Sequence, residues 1–347
     1  MTIFPIIIGI AVLSIIILTH ELGHFITAKL SGVKVEEFGM GFPPRLVSFK
    51  RGETRYSINV IPFGGFNKLS GEEDPDVPGS LAGKSRGIRL LVLGSGSLMN
   101  ILLALMLFSV GYLFPRPAAV GQVEVAGIAP DSPASVAGIE TGDIILSVNG
   151  QPVNNNDSLH QYITDNLGRE ITLLIQSRGS VSREVRLIPR LEPPKDEGAI
   201  GIAIRTVKRY PLWQAIPMGA TELFDSVIIW GSGLVSLFTG ETSGSFIGPV
   251  GVVQLTGEVA VFGPVPLLQL AALISLVLGI MNLLPLPAID GGRITFLFLE
   301  WVRRGKRISP KAEGIVHLIG LGLLLLILLA ITFQDIMRII NGNSLIP

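Results

Sequence analysis

Four long apolar stretches limit what this chain can fold into more than any other feature of its sequence. A helix needs roughly 20 apolar residues to cross a bilayer. The stretches run over Ile3–Thr27, Leu90–Phe114, Pro264–Leu286 and Gly314–Phe333. Charged residues make up 16% of the chain, against about 25% in typical soluble proteins. The sequence therefore predicts a polytopic α-helical membrane protein with four spanning helices.

The distribution of basic residues predicts the orientation of these helices. Residues 28–89 contain ten Lys or Arg, and residues 289–311 contain six. Loops rich in Lys and Arg stay on the cytoplasmic side. Both termini are then expected outside (N-out/C-out), together with the polar segment between the second and third stretches. The first stretch has neither the basic start nor the cleavage site of a signal peptide, so we expect it to stay attached.

The predicted organisation has four parts. Residues 1–117 hold the first two membrane helices and a cytoplasmic β-loop, and residues 118–206 form an inserted domain. Residues 207–263 are expected to form amphipathic helices on the outer surface, because a further crossing there would move the Arg-rich loop outside. Residues 264–347 hold the last two membrane helices.

A metal-binding pattern, His20-Glu21-Leu22-Gly23-His24, ends the first apolar stretch. Residues four apart share one helix face, so the two histidines can hold one metal ion. Glu21 can lie beside the open coordination position and take a proton from water. The alternative is that these polar side chains only snorkel to the cytoplasmic boundary of the membrane, where the apolar run ends. Ionisable groups are costly in a spanning helix, and this cost favours a function.

A third metal ligand is needed, and Asp290 is the best candidate. The chain has no cysteine, which excludes thiolate ligands. His160 lies in the inserted domain, on the opposite side of the membrane, and His317 reads as a bundle-facing histidine more readily than as a ligand. Asp290 follows the third stretch at the cytoplasmic depth expected for the two motif histidines. Gly291 and Gly292 allow the tight backbone that would aim its carboxylate.

The HELGH motif, the N-x-x-P-x-x-x-x-D-G motif of the third stretch and the inserted domain together resemble the bacterial site-2 proteases. These are intramembrane zinc metalloproteases that act in regulated intramembrane proteolysis. The resemblance implies one zinc ion per chain on His20, His24 and Asp290, with Glu21 as general base. It also implies a catalytic part for Asn282, which would position the substrate or its oxyanion. A helix-packing amide is the alternative for Asn282.

Residues Tyr56–Phe66 resemble the membrane-dipping β-loop of the same family. Their alternating pattern ends in two glycines. A helical substrate must unwind before its peptide bonds can be attacked, and such a loop could hold the unwound stretch as an added strand. The candidate substrate-binding residues are Ile58, Val60, Gly64 and Gly65.

The inserted domain resembles a PDZ domain of the permuted bacterial kind, so an α+β fold is expected. The resemblance rests on residues 127–153, "GIAPDSPASVAGIETGDIILSVNGQPV". Ile200, Gly201 and Ile202 resemble the loop whose amides receive a peptide carboxylate. The groove would either bind peptide C-termini by strand addition or only exclude bulky substrates.

These features predict a zinc metalloendopeptidase that cuts membrane proteins in or near their transmembrane segments. The resemblance implies anti-sigma factors or signal-peptide remnants as substrates and the bacterial inner membrane as location, with the lipid bilayer around the helices. Basic and acidic residues are balanced at 27 each, so no nucleic-acid partner is indicated. Two alternatives are a non-catalytic PDZ-bearing scaffold and another membrane metalloprotease, such as a prenyl-protein protease.

Overall fold

The computed structural model divides the chain into two compact units. It describes residues 3–72, 74–177, 182–194, 197–240 and 247–341. One unit, here called the membrane unit, contains Met1–Gly111 and Ala215–Pro347. The other, the inserted unit, contains Tyr112–Gln214.

Helices dominate the membrane unit, and a small sheet dominates the inserted unit. In chain order the elements are α1 (Ile3–Leu30), β1 (Val35–Arg51), β2 (Thr54–Leu69), α2 (Arg86–Gly111), β3 (Arg116–Ile128), α3 (Pro133–Val136), β4 (Ile144–Val148), β5 (Gln151–Pro152), α4 (Asn156–Thr164), β6 (Ile171–Gln176), β7 (Arg183–Leu187), β8 (Ile202–Lys208), α5 (Leu212–Thr239), α6 (Pro249–Ala260), α7 (Pro264–Met281), α8 (Asp290–Val302) and α9 (Pro310–Ile340).

Four helices of the described chain are long and apolar enough to cross a membrane. They are Phe4–Leu30, Arg86–Gly111, Pro264–Met281 and Pro310–Ile340. This confirms the four candidate spans predicted from the sequence, with small shifts at their ends. The N-out/C-out orientation stays a prediction, because it rests on the charge of the loops.

Small side chains bring α1, α2 and α7 close together. A Cβ on Gly23 of α1 would overlap the carbonyl of Ser95 on α2. The hydroxyls of Thr27 and Ser95 lie 2.7 Å apart across the same interface. On the other side of α2, the Ser275 hydroxyl of α7 donates to the Asn100 carbonyl at 2.8 Å. Close approach through small residues is how helices associate in lipid, and here it sets α1 and α7 on either side of α2.

The β1–β2 hairpin is folded back on itself. Met40 of β1 pairs with Ile58 and also with Gly65 of β2, and Gly39 pairs with both Ser57 and Phe66. The middle of β1 therefore has partners on both sides. Among the described residues, the Gly65–Leu69 end of β2 pairs with β1 only, which leaves its other side as an edge of the sheet.

A buried carboxylate ties this hairpin together. Glu37 is only 6% exposed and accepts hydrogen bonds from Arg45 Nε at 2.9 Å and from Ser57 Oγ at 2.8 Å. The hydrogen bonds from Arg45 are the main reason that the pKa of Glu37 lies below its usual value. The charged network fixes the register at which the folded strands meet.

The segment 207–263, predicted to form amphipathic helices on the outer surface, contains a helix that packs against candidate membrane spans. Residues 212–239 form one helix, α5, and its first half packs against two candidate spans. Leu223 lies in a buried cluster with Ala104 and Phe108 of α2 and Leu276 of α7. Hydropathy alone could not reveal this packing, because the same face carries the polar residue Glu222 and so looks solvent-exposed. In the structure the Glu222 carboxylate accepts a hydrogen bond from Gln269 of α7 at 2.9 Å.

Asp335 of α9 holds the start of α6. Its side chain is fully buried, accepts the Gly251 N–H at 2.7 Å and pairs with Arg338. The first N–H groups of a helix have no partner within the helix, so Asp335 caps α6 from another element. A Cβ on Gly251 would lie 2.7 Å from the Asp335 carboxylate, and this explains the glycine at that position.

We expect Asp335→Ala to lower the free energy of unfolding by about 2 kcal/mol, because it leaves the buried Gly251 amide and the partly buried Arg338 guanidinium without their acceptor. The thermal unfolding midpoint in detergent should fall by several degrees. Gln334→Ala is the control, since Gln334 is exposed on the same turn of α9. Equal midpoints for the two variants would contradict the cap.

The inserted unit is built on an antiparallel sheet in the order β7-β6-β4-β3-β8, with β5 paired to β4. Its core contains Val123, Ile145, Leu159 and Leu173, each at most 1% exposed. Helix α4 begins with a capping box. The side chain of Asn155 accepts the backbone N–H of Ser158, and the Ser158 side chain accepts the backbone N–H of Asn155. Strand β8 lies at one edge of the sheet. This α+β arrangement agrees with the fold class predicted for the insert.

Candidate metal centre and active site

The two motif histidines of α1 meet at one point. His20 and His24 are each 7% exposed, and their Nε2 atoms lie 3.1 Å apart. The helical spacing of four residues puts both rings on the same face, where they meet edge to face with centroids 4.8 Å apart. Two imidazole nitrogens that converge in this way can act as ligands of one metal ion.

Asp290 completes this group from a distant part of the chain. Its Oδ2 lies 3.0 Å from His20 Nε2 and 3.1 Å from His24 Nε2. All three ligand atoms lie within 4.8 Å of one another. Zinc ligands at about 2.0–2.2 Å in a tetrahedral site are roughly 3.3–3.5 Å apart, so the three atoms need to separate by only a few tenths of an ångström to hold a zinc ion.

A tight turn between α7 and α8 aims the Asp290 carboxylate. The carbonyl of Asn282 accepts the Gly291 N–H at 2.7 Å, and a Cβ on Gly291 would lie 2.7 Å from the Leu283 carbonyl oxygen. His317 of α9 supports the same turn, because its Nδ1 accepts the Ala288 N–H at 3.0 Å. His317 is not one of the three residues that converge.

Helix α2 supplies the wall behind the ligands. The Nδ1–H of His24 donates to the Val92 carbonyl at 2.8 Å, which leaves the Nε2 lone pair available for a metal. Gly96 faces both histidines: a Cβ there would lie 2.7 Å from His20 Nε2 and closer still to His24 Nε2. Only a glycine keeps this space open, and that requirement was not recognised from the sequence.

Glu21 lines a cavity of about 250 Å³ beside the three ligands. His24 and Asp290 line the same cavity, and so do Glu72 and Arg293, which form an ion pair. Glu21 therefore lies next to the three converging residues without being one of them. The cavity brings a carboxylate together with a candidate metal site and open space, and metal-assisted hydrolysis requires these parts.

The hairpin residues predicted to bind substrate fall into two groups. Gly64 and Gly65 of β2 pack against helix α1. A Cβ on Gly65 would be 3.7 Å from Glu21 Cγ. Ile58 has strand partners on both sides, at Met40 and Val47. Ile58 and Val60 are both half exposed, and neither lines the cavity that holds Glu21.

Asn67 is a residue of this site that sequence reasoning missed. It lies on the Gly65–Leu69 edge and lines the cavity with Glu21. Both polar atoms of its amide are buried, and neither has a hydrogen-bond partner among the described residues. Buried amides are rarely left without partners. The available signal was a lone Asn two residues after the Gly64-Gly65 pair of a strand.

In the inserted unit, the predicted carboxylate-binding loop is a tight turn. Gly201 has a φ of +73°, and a Cβ on it would lie against Ser132. Its N–H donates to the Gly198 carbonyl at 2.9 Å, so this amide is already used. Ile200 is buried, and Ile202 begins the edge strand β8. His160 is exposed on α4, within the inserted unit.

Comparison with known families finds one match that runs through both units. The model of peptidase family M50 matches residues 8–327. The match includes the two histidines and Glu21 at one end and Asp290 at the other.

Relatives that match nearly the whole of this chain exist in several bacteria. A protein of Clostridium acetobutylicum, provisionally named a zinc metalloprotease, is 34% identical over 98% of this chain and 100% of its own length. The zinc metalloprotease RasP of Oceanobacillus iheyensis is 28% identical over 95% of this chain and 98% of its own. Among solved structures, PDZ domains of SdrC-like proteins from Listeria monocytogenes and Listeria innocua cover 26% and 24% of this chain, with 20% and 26% identity and TM-scores of 0.22 and 0.21.

Proposed function

Because the chain belongs to peptidase family M50, we propose that it is an intramembrane zinc metalloendopeptidase that hydrolyses peptide bonds in or beside membrane-spanning segments. The observation that carries this proposal is the convergence of His20, His24 and Asp290 between helices that qualify as membrane spans. Relatives that are named zinc metalloproteases match this chain over almost their full length and support the same activity.

In this proposal His20, His24 and Asp290 hold one zinc ion per chain. Three protein ligands with an adjoining cavity are the pattern of a catalytic rather than a structural zinc site. When bound, zinc supplies Lewis acidity that polarises the scissile carbonyl and makes water a stronger acid. The donation from His24 Nδ1 to the Val92 carbonyl keeps that ring in the orientation and tautomer that a metal needs.

Glu21 is the general base of the proposed reaction. Its carboxylate accepts a proton from the attacking water and passes it to the departing amine as the peptide bond breaks. Glu21 lies on the wall of the cavity, beside the proposed ligand atoms and not among them. This position supports its role as general base. Asn282, at the end of α7, is proposed to position the substrate or its oxyanion with its side-chain amide. Its backbone carbonyl separately accepts the Gly291 N–H next to Asp290.

The substrate is proposed to bind as a strand along the Gly65–Leu69 edge of β2. This edge has a β1 partner on one side only and borders the cavity with Glu21. An unwound substrate that pairs there has its peptide bonds beside the metal ligands. The proposal keeps Gly64 and Gly65 from the predicted set and moves the remaining contacts from Ile58 and Val60 to Phe66 and Asn67.

The Asn67 amide is expected to hydrogen-bond the substrate backbone. Asn67→Val should therefore lower kcat/KM by about 10-fold, the loss of one hydrogen bond. The unfolding midpoint should not fall, because removing an unpartnered buried amide costs no folded-state hydrogen bond. Lys50→Gln, at an exposed position of β1 outside the Gly65–Leu69 edge, is the control. A lower midpoint with unchanged kcat/KM would show that Asn67 is structural.

The remaining parts of the proposal concern the surroundings of the site. We place the protein in the bacterial inner membrane, with the metal site near the cytoplasmic face and residues 118–206, as a PDZ domain, outside. The basic residues of 28–89 and 289–311 support this orientation. The substrates are single-span membrane proteins, such as anti-sigma factors or signal-peptide remnants. The inserted domain binds their C-termini or excludes bulky ones.

A cleavage assay with the purified full chain tests the proposed function. The substrate is a single-span protein with helix-breaking residues in its membrane segment, and bound zinc is measured on the same preparation. We expect cleavage within or beside the span and one zinc ion per chain. Absence of both would favour the peptide-binding scaffold, and cleavage restricted to prenylated C-terminal peptides would favour a prenyl-protein protease.

A further inference from the structure

A buried carboxylate at one end of α8 gathers three arginines. Glu300 is 6% exposed. Its Oε2 accepts a hydrogen bond from Arg89 at 2.6 Å, whereas Arg307 and Arg86 approach Oε1 only to 3.6 and 4.0 Å. One negative charge thus faces three positive charges. Arg86 and Arg307 keep most of their hydrogen-bonding capacity, and the side chain of Arg86 is 46% exposed.

The loop after α8 adds more positive charge beside Arg86. Arg303, Arg304 and Lys306 are exposed, and within the described part of the chain none of them forms an ion pair. Gly305 turns the loop back with a φ of +91°, and a Cβ on it would lie 3.6 Å from Arg86 Nη2. The loop and the start of α2 therefore form one cationic surface, defined here as the basic rim.

An apolar cleft opens next to this basic rim, between α2 and α8. Its volume is about 290 Å³, and it is lined by Arg86, Leu90, Ile294, Leu297, Phe298 and Trp301. Phe298 and Trp301 are 57% and 65% exposed, a high exposure for large aromatic side chains. Arg86 lies at the boundary and belongs to both the rim and the cleft.

We propose that this cleft binds one anionic phospholipid, with an acyl chain between α2 and α8 and the phosphate on the basic rim. Basic pockets between membrane helices suit anionic lipid headgroups, and Trp is favoured at the interface between headgroups and hydrocarbon. A free phosphate would use the rim without the cleft. A neutral lipid would use the cleft without the rim. The site lies outside the Glu21 cavity, and its binding does not depend on proteolysis.

Fluorescence quenching by brominated lipids tests the proposal on the full chain. Trp213→Phe and Trp230→Phe leave Trp301 as the only tryptophan. In mixed micelles, phosphatidylglycerol with brominated chains should quench Trp301 at a mole fraction several-fold lower than brominated phosphatidylcholine does. Unbrominated phosphatidylglycerol should relieve that quenching, and inorganic phosphate at the same concentration should not.

Variants of the rim give the decisive comparison. Arg304→Gln with Lys306→Gln removes two exposed charges without described partners, so folding should be unaffected, and the preference for the anionic lipid should fall toward none. Arg86→Gln is the second variant, and Lys50→Gln with Arg51→Gln, on the exposed end of β1, is the control. Equal quenching by both lipids would overturn the proposal, as would competition by phosphate alone or a preference that survives the rim variants.

Discussion

Replacing Glu21 with Gln is expected to lower cleavage by about 10²- to 10⁴-fold while the protein keeps one zinc ion per chain. This range is the usual contribution of a general acid–base group. Gln has nearly the size of Glu and so fills the same part of the cavity, but its amide cannot accept a proton at neutral pH. His20, His24 and Asp290 are unchanged by the substitution, so the metal site stays complete.

The Glu21→Gln measurement combines single-turnover cleavage with zinc analysis of the same sample. Glu53→Gln, in the exposed turn between β1 and β2, is the control for loss of a carboxylate. We expect the control to cut at the wild-type rate. Loss of zinc in Glu21→Gln would instead make Glu21 a ligand, and undiminished cleavage would assign the base to another group.

Local patterns in the sequence predicted both parts of the candidate metal site, the two histidines and Asp290. The spacing of His20 and His24 is a property of any α-helix, so their common face followed from the motif alone. Asp290 is 266 residues away from His24 in sequence. It could still be placed, because the bilayer fixes the depth of each helix end and both motifs were assigned to the same depth. A soluble chain offers no such common reference.

Features that depend on tertiary packing could not be predicted in this way. One face of the first half of α5, which includes Leu223, packs against α2 and α7, and hydropathy does not separate that environment from a membrane surface. The hairpin contains register shifts that fold it over, whereas the alternating pattern around Ile58 predicts only a strand. In the sequence, Asn67 resembles any polar residue of a strand, and only the structure shows that it lines the cavity with Glu21.

The glycine of α2 at the metal site leads to the second large prediction. Gly96→Ala should lower zinc affinity by 100-fold or more, on the order of the upper effects known for residues that support metal ligands. The new methyl group would occupy the space that both His20 Nε2 and His24 Nε2 face. Because the ligands would be pushed apart, cleavage should fall in proportion to bound zinc.

Gly94→Ala is the matched control for Gly96→Ala. Both changes replace a glycine inside α2 by a better helix former, so their effects on helix propensity are alike. A Cβ on Gly94 meets nothing within 4 Å among the described residues, so this variant should keep its zinc and cut like wild type. Both variants are compared by zinc per folded chain and by unfolding midpoint. If Gly96→Ala bound zinc as tightly as Gly94→Ala does, the three converging side chains would not be the zinc site.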